Sequence, residues 1–156
     1  MLGTGATAMS KITPDSLIEK ARAAREQSHA PFSKFRVGAA VRTRSGRVFT
    51  GSNVESSSYG LTICAERLAI CFAVHSGHSD ITEIALVADT KGPPGPCGAC
   101  RQFMFDFAPQ ASVVMENLKG DSREVLVKEL IPWGFGPADL LERESTHDGE
   151  GSNDRG

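Results

Sequence analysis

The chain has 156 residues, 40% of them hydrophobic, which is the size of one globular domain with a substantial core. Its formal net charge of −2 comes from interspersed acids and bases, so the sequence lacks the basic stripe that binds duplex nucleic acid. No apolar run is long enough to span a bilayer and the first residues do not resemble a secretory signal, so we expect a cytoplasmic protein without nucleic-acid or membrane partners.

The two ends of the chain differ in composition from its middle. Residues 1–12 are mostly small and polar, and residues 142–156 are charged and rich in Gly and Ser. The sequence between them shows no repeat and no Pro-rich linker. We therefore expect a disordered N-terminal segment, one domain over residues 13–141, and a disordered C-terminal tail.

The first predicted elements are a helix and a hairpin. Thr13, Pro14 and Asp15 suit the start of a helix, because Thr caps, Pro fits the first position and Asp complements the helix dipole, and the helix is predicted to run to about residue 27. Residues 37–43 and 47–53 are β-rich runs separated by a Ser-Gly turn. They predict a β-hairpin.

The second half of the domain alternates helices and strands. Residues 64–74 are strongly apolar and of helical length, and residues 84–87 predict a buried strand. A Gly-Pro-rich loop then leads to a second helix over residues 98–106 and a strand over residues 112–115, with shorter elements after it. A hairpin followed by helix, strand, helix and strand predicts an α/β fold in which helices pack on a mixed sheet.

The cysteines carry the clearest chemical signal. Cys97 and Cys100 form a C-x-x-C pair, which is typical of either a zinc half-site or a redox dithiol, and Cys64 begins a Cys-Ala-Glu motif at the start of another predicted helix. Helix N-termini stabilise thiolates, the form that binds metal. Together the three cysteines would supply three sulfur ligands to Zn²⁺ and leave its fourth position open for water, which indicates a catalytic site.

A structural zinc site would instead need a fourth protein ligand. Cys71 lies two helical turns beyond Cys64 and is predicted to point away from the metal into the core. None of the four histidines has ligand spacing to a cysteine. The sequence therefore favours an open site over a closed one.

Glu66 follows Cys64 by two residues. Standing alone it would be a first-turn glutamate that complements the helix dipole. Beside an open zinc position it becomes a candidate to take a proton from water and deliver it to a substrate. Three thiolates leave negative charge on the site, and Arg67 and Arg101 are candidates to offset it, although arginines on helices are commonly plain surface residues.

These motifs belong to a longer pattern. The segments SKFRVGAAV, TGSNVESSSYGLTICAERLAI, GPCGACRQF and ELIPWGFGPADL occur in this order over residues 33–140. In them the sequence resembles the small homotetrameric cytidine deaminases of pyrimidine salvage, which carry the zinc-deaminase signature. The resemblance implies a three-layer α/β/α fold with a mixed sheet of about five strands. It also implies hydrolysis of cytidine and deoxycytidine to uridine and deoxyuridine with release of ammonia.

The resemblance also implies roles at the metal. Cys64, Cys97 and Cys100 would hold one Zn²⁺ per subunit. Zinc-bound hydroxide would attack C4 of the base, and Glu66 would move protons between that hydroxide, ring N3 and the leaving amine. Arg67 matches the family's arginine beside this glutamate and would offset the thiolate charge.

Substrate contacts are implied in the same way. Phe35 would pack on the pyrimidine, Asn53 and Glu55 would hold the ribose hydroxyls, and the N–H of Ala65 would hold either the carbonyl of the base or the metal-bound oxygen. Without the motif context, Phe35 would be read as a core residue and the other two side chains as polar ends of a hairpin. Phe135 resembles an aromatic that is lent to the site of a neighbouring subunit in a homotetramer.

Three alternatives stay open on the sequence. The same metal chemistry could act on another aminopyrimidine nucleoside of the blasticidin type. A polynucleotide-editing deaminase would need a basic channel that this chain lacks. The C-x-x-C pair could also belong to a structural zinc or redox module. The preference between cytidine and deoxycytidine is not readable from the residues.

Overall fold

The structure, a computed structural model, describes residues 16–141. The predicted tails, 1–12 and 142–156, lie outside this range, as do residues 13–15. The main elements, in chain order, are α1 (Leu17–Arg25), β1 (Val37–Thr43), β2 (Val48–Ser52), α2 (Ala65–His75), β3 (Ile81–Ala88), α3 (Gly98–Phe107), β4 (Ser112–Asn117) and β5 (Ser122–Leu126).

The strands form one mixed sheet in the order β2-β1-β3-β4-β5. β3 and β4 are parallel, and the other neighbouring pairs are antiparallel. This arrangement confirms the predicted α/β class and the five-stranded mixed sheet. Within residues 16–141, none of the helices has the length and apolar content needed to cross a membrane.

The central strands β1 and β3 are mostly buried, and successive side chains of each strand point to opposite faces of the sheet. On β1 and β3, Ala39, Val41, Ile84 and Leu86 belong to the larger core cluster, which also contains residues of α2 and α3. Their neighbours along the same strands pack in a second cluster with α1. The fold therefore has three layers, with α1 on one face of the sheet and α2 and α3 on the other.

Two boundaries differ from the predictions. α1 begins at Leu17 with Ser16 as its cap, whose side chain accepts a hydrogen bond from the backbone N–H of Glu19 at 3.3 Å. β3 begins at Ile81 and is longer than the apolar run alone predicts. Its first half carries the adjacent polar residues Thr82 and Glu83, and Glu83 pairs across the strands with Arg42 at 3.2 Å.

The prediction that Cys71 lies in the core is wrong. Cys71 is exposed, whereas Ala69, Ile70 and Ala73 are fully buried. At about 100° per residue, these three residues define the inner face of α2, and Cys71 falls on the outer face. The helix is amphipathic rather than buried all round.

Glycine allows α2 to approach the sheet closely. A Cβ atom on Gly51 of β2 would lie 2.5 Å from the carbonyl oxygen of Ala65 and 2.6 Å from the backbone nitrogen of Ala69. Only a residue without a side chain fits at that separation. The position of the first turn of α2 is therefore set by direct contact with the sheet.

Candidate functional site

Two helix starts carry the cysteines. Cys64 is the N-cap of α2 and Cys97 is the N-cap of α3, and neither side chain bonds to the first turn of its own helix. Cys100 is the third residue of α3, so it shares a face of the first turn with Cys97. Both thiol groups at the caps therefore sit at positive helix ends, as the sequence predicts.

The three sulfurs form one compact group. The Sγ atoms of Cys64, Cys97 and Cys100 all lie within 4.8 Å of one another, and those of Cys64 and Cys97 are 3.9 Å apart. Two sulfurs that bind one tetrahedral Zn²⁺ at about 2.3 Å are about 3.8 Å apart. The separation and the donor chemistry therefore both fit zinc.

Hydrogen bonds stabilise a thiolate at Cys64. Bonds from the Cys100 thiol and from Arg67 lower the pKa of Cys64 to about 5, although burial opposes the shift. The Cys100 pKa is raised, since its proton is held in the bond to Cys64. In the free protein one proton is thus shared by a pair of sulfurs, and metal binding would displace it.

Arg67 contacts the cluster directly. Its Nη2 donates to the Sγ of Cys64 at 3.7 Å and to the carbonyl oxygen of Thr62 at 3.0 Å. Within residues 16–141 its Nε is buried without a hydrogen-bond partner. The guanidinium is therefore fixed beside a thiolate whose charge it offsets.

Arg101, the other arginine singled out in the sequence, has backbone partners. Its Nε donates to the carbonyl oxygen of Pro96 at 2.9 Å and its Nη1 to that of Leu130 at 3.1 Å. These bonds tie the residue before Cys97 to the segment after β5. Arg101 thus braces the loop that carries a sulfur.

Glu66 is buried beside the sulfurs. Only 4% of the residue is exposed. Burial is the main cause that raises the pKa of Glu66 to about 7; the negative charge of Cys64 adds a smaller upward effect, and hydrogen bonding to its own backbone and to the Cys100 thiol opposes the rise. A carboxyl group with such a pKa can both accept and release a proton near neutral pH.

A second group of predicted residues surrounds Asn53. Its Oδ1 accepts from the backbone N–H of Val37 at 2.8 Å and from Ser28 Oγ at 2.5 Å, and its Nδ2 donates to the carbonyl oxygen of Phe35 at 2.8 Å. One Nδ2 hydrogen is left for another partner. Asn53 thus fixes the chain around Phe35. Phe35 is 44% exposed and is therefore not a core residue.

Glu55 holds the loop that precedes Phe35. Its Oε2 accepts from the backbone N–H groups of Phe32 at 2.8 Å and Ser33 at 3.2 Å, and its Oε1 accepts from the Ser33 hydroxyl. The same hydroxyl oxygen accepts from the backbone N–H of Phe35 at 3.0 Å. The hydrogen bond from the Ser33 side chain is the largest cause that lowers the pKa of Glu55.

A short backbone ladder joins the two groups. Val54, between Asn53 and Glu55, pairs with Ile63 through hydrogen bonds of 2.9 and 3.0 Å. Ile63 directly precedes Cys64, so the two residues expected to contact ribose flank Val54, which is paired with the residue before a sulfur ligand. The chain between β2 and α2 therefore carries residues of both parts of the site.

Ala65 and Phe135 occupy different surroundings. Ala65 is fully buried at the first position of α2, where backbone N–H groups have no partner within the helix. Phe135 is 59% exposed, and its carbonyl oxygen accepts from the side chain of Gln102 on α3 at 2.7 Å. An exposed aromatic held against a helix is available to a second copy of the chain.

Sequence reasoning missed two polar residues. Ser33 connects Glu55 to Phe35, and Asn117 bonds to the loop that leads to Cys97. Asn117 and Ser33 bond to residues more than 20 positions away in the sequence, and Ser33 contacts Phe35 through the backbone N–H of Phe35. The one local signal was the Asn-Leu-Lys-Gly-Asp turn, in which Asn is a usual residue.

Comparison with known proteins gives consistent relatives. Residues 12–116 match the family model of the cytidine and deoxycytidylate deaminase zinc-binding region. A cytidine deaminase of Halalkalibacterium halodurans is 48% identical over 125 residues, covering 80% of this chain and 95% of that protein. A cytidine deaminase of Sporosarcina psychrophila is 45% identical over 127 residues, covering 81% and 93%.

Solved structures agree with this. The crystal structure of cytidine deaminase from Burkholderia pseudomallei has 47% sequence identity and a TM-score of 0.77, covering 80% of this chain and all of that one. That of cytidine deaminase from Mycobacterium tuberculosis has 34% identity and a TM-score of 0.67, covering 77% and 94%. The family match over residues 12–116 spans α1 to α3, most of the sheet and the cysteine motifs.

Proposed function

This chain belongs to the family of cytidine and deoxycytidylate deaminases, and from that premise we propose that it hydrolyses cytidine and deoxycytidine to uridine and deoxyuridine with release of ammonia. The observation that carries the proposal is the cluster of three sulfurs within 4.8 Å of one another, beside a buried carboxylate. The reaction adds the oxygen of water at C4 and breaks the bond from C4 to the exocyclic nitrogen.

Cys64, Cys97 and Cys100 would hold one Zn²⁺ ion, with Arg67 offsetting part of the thiolate charge. When bound, Zn²⁺ supplies Lewis-acid activation that lowers the pKa of water toward neutrality. With these three residues as its protein ligands, the ion would have one position left for water or substrate. The N–H of Ala65, at the first position of α2, has no partner within the helix and would donate to an oxygen of the substrate or of the attacking water.

Glu66 would move the protons. Water gives up two protons in the overall reaction, one of which ends on ring N3 and one on the leaving amine. The Glu66 carboxylate accepts each proton and delivers it, first to N3 and then to the exocyclic nitrogen, which departs as ammonia. Its burial excludes bulk water from this transfer.

The loop and hairpin residues would hold the nucleoside. Phe35 offers a partly exposed ring face to the flat base, Glu55 accepts from a ribose hydroxyl, and Asn53 donates its remaining Nδ2 hydrogen. Glu55 is already bonded to Ser33 in the free chain. A ribose hydroxyl must therefore share that carboxylate with Ser33 or replace its hydroxyl.

We also propose that the protein is a homotetramer in the cytoplasm and that residues 13–141 form its one domain. Large apolar side chains are exposed on the single chain, among them Phe72 at 50%, Phe135 at 59% and Trp133 at 103%. Burying such side chains against other copies would remove them from water. Free thiols that serve as metal ligands suit a reducing compartment.

The test is conversion of cytidine, followed by the loss of its ultraviolet absorbance, with zinc quantified in each sample. Glu66→Ala should keep zinc and lose about 10²-fold or more of the rate, because no other group takes its protons. Glu124→Ala, which changes an exposed glutamate on β5, should retain both the bound zinc and the wild-type rate. If the zinc-loaded wild type does not convert cytidine or deoxycytidine, the substrate assignment is wrong and other aminopyrimidine nucleosides become the candidates.

A further inference from the structure

The loop over residues 89–97 brings Cys97 from the end of β3 to the metal cluster. It contains Gly-Pro-Pro-Gly-Pro immediately before Cys97. Proline has no backbone N–H, so Pro93, Pro94 and Pro96 cannot donate hydrogen bonds that would fix the loop from within. Anchors from other parts of the fold therefore help to hold it.

Asn117 is such an anchor. It is the last residue of β4, lies opposite Ala88 in the parallel ladder, and is fully buried. Its Nδ2 donates to the carbonyl oxygens of Thr90 at 3.3 Å and Lys91 at 3.2 Å. It also donates to Asp121 Oδ2 at 2.8 Å, so one of its two hydrogens is shared between two acceptors.

The other half of the amide holds the turn after β4. Asn117 Oδ1 accepts from the backbone N–H groups of Lys119 and Asp121, both at 2.9 Å. One side chain therefore joins the turn between β4 and β5 to the loop after β3. Because the carboxyl ends of the parallel strands β3 and β4 meet at one edge of the sheet, both segments leave the sheet beside each other.

The restraint continues along the loop toward the cysteine. The Thr90 hydroxyl donates to the carbonyl oxygen of Gly92 at 2.6 Å, and Arg101 holds the carbonyl oxygen of Pro96 at 2.9 Å. The loop is thus held near its start by Asn117 and at its end by Arg101. Between these points the prolines limit its conformations.

We infer that Asn117 is a positioning residue for the metal centre, holding the loop so that Cys97 reaches the sulfur cluster. The inference rests on the proposed function, in which Cys97 is a zinc ligand. Loss of the two Nδ2 bonds leaves two carbonyl groups without their donor and frees the start of the loop. Cys97 then has to be ordered when the metal binds, which weakens the binding.

The experiment separates the loop bonds from the turn. In the double variant Asn117→Asp with Asp121→Asn, the net charge is unchanged and the two side chains can still bond to each other. An oxygen at position 117 still accepts from the turn amides, but no donor faces the carbonyl groups of Thr90 and Lys91. Asn117→Ser, which is too short to reach the loop, is measured beside it so that a folded variant is available.

Gly120→Ala is the matched control. Gly120 lies in the same turn with φ +92, and its Cβ would contact nothing within 4 Å, so alanine strains the turn without touching the loop. The unfolding free energy of each metal-free protein is measured by urea denaturation. The zinc dissociation constant is measured by competition with a chromophoric chelator, and the thiolate-to-metal charge-transfer band is recorded with Co²⁺.

We expect the Asn117 variants to bind zinc about tenfold more weakly than wild type and to show a weaker cobalt–thiolate band. Gly120→Ala should lower stability but keep the wild-type zinc affinity and band. Wild-type zinc affinity in the Asn117 variants, or an equal loss in Gly120→Ala, would overturn the inference. Failure of wild type itself to bind zinc would refute the metal centre, and the inference with it.

Discussion

Ser33 joins two residues proposed to hold the substrate. Its hydroxyl donates to Glu55 and accepts from the backbone N–H of Phe35. Ser33→Ala should raise KM for cytidine roughly fivefold with little change in kcat, because the hydrogen bonds that order the loop before the substrate binds are lost. Steady-state kinetics of the variant measure this split.

The acid side of the KM profile gives an independent check. The Ser33 hydroxyl lowers the pKa of Glu55, which keeps the carboxylate charged as pH falls. In Ser33→Ala that pKa should return toward its ordinary value, so KM should begin to rise at a higher pH than in wild type. Ser122→Ala, on the exposed strand β5, is the control. Unchanged KM and an unchanged profile would remove Ser33 from the substrate site.

Burial of Glu66 makes the stability of the metal-free protein depend on pH. Its pKa is raised from 4.5 to about 7, so this group's contribution is fully present below about pH 4.5 and is lost as pH rises through 7. The loss is about 3 kcal/mol by about pH 8. In Glu66→Gln the side chain at position 66 is neutral at every pH, so this variant should not show that loss of stability.

Urea denaturation of the metal-free wild type and of Glu66→Gln, at matched pH values, tests this expectation. The other ionisable groups are common to the two proteins, so the difference between their curves reports the titration of Glu66 together with its coupling to Cys64 and Cys100. The variant should gain stability relative to wild type as pH rises. Parallel curves would show that the Glu66 carboxyl titrates at an ordinary pKa and is not desolvated.

At the scale of elements, two glycines control how closely helices lie on the sheet. A Cβ on Gly51 would overlap the start of α2, and a Cβ on Gly38 would overlap the backbone of Ala21 and Arg25 in α1, on the opposite face. Each change to alanine should cost about 1–3 kcal/mol through overpacking. Only Gly51→Ala displaces the first turn of α2, which carries Cys64 and Glu66.

We therefore expect Gly51→Ala to weaken zinc binding and Gly38→Ala to leave it unchanged at a similar loss of stability. Chelator competition on the two purified variants measures the affinities, and urea denaturation measures the stabilities. Equal zinc affinities would mean that the contact between β2 and α2 does not set the position of the cluster.

Most elements could be predicted from local pattern. Helix and strand periods, the Ser-Gly turn and the cysteine motifs depend on neighbours in the sequence, and the structure contains each corresponding element. The predictions that were wrong concern segments where two local sequence patterns compete. Several residues suit a helix start near position 13, and Ser16 is the cap within the described chain. The apolar composition of residues 64–74 predicts a helix buried all round, whereas the outer face of α2 carries the exposed Cys71.

The bonds that support the site could not be predicted. Asn117 and Thr90 are far apart in the sequence, and their contact depends on which strands are neighbours in the sheet. The roles of Asn53 and Glu55 in fixing the loop around Phe35 likewise require the bridge between His29 and Val54. A family motif indicates which residues matter, but it does not show which polar atoms are already occupied.

In the proposed homotetramer, Phe135 of one subunit contributes its aromatic ring to the site of a neighbouring subunit. Light scattering should give four times the chain mass of 16.6 kDa. Phe135→Ala and Glu66→Ala should each be impaired alone. When the two variants are unfolded and refolded together, mixed assemblies should regain activity, because one chain supplies the carboxylate and its neighbour the aromatic ring.

Two results would contradict this assignment. A fully active monomer would show that no site residue comes from a second chain. A tetramer without complementation would show that Phe135 serves its own chain or only the interface. Refolded mixtures of each variant with itself provide the baseline.

Zinc titration of the metal-free protein shows whether the three cysteines hold a catalytic metal. Cytidine turnover is followed while Zn²⁺ is added to wild type and to Cys97→Ser. Activity of wild type should rise from none to a plateau at one zinc per chain, and the variant should remain inactive at the same zinc level. Turnover by a verified zinc-free wild type, or full activity of Cys97→Ser, would show that the protein is not a hydrolytic deaminase that depends on a metal held by three thiolates.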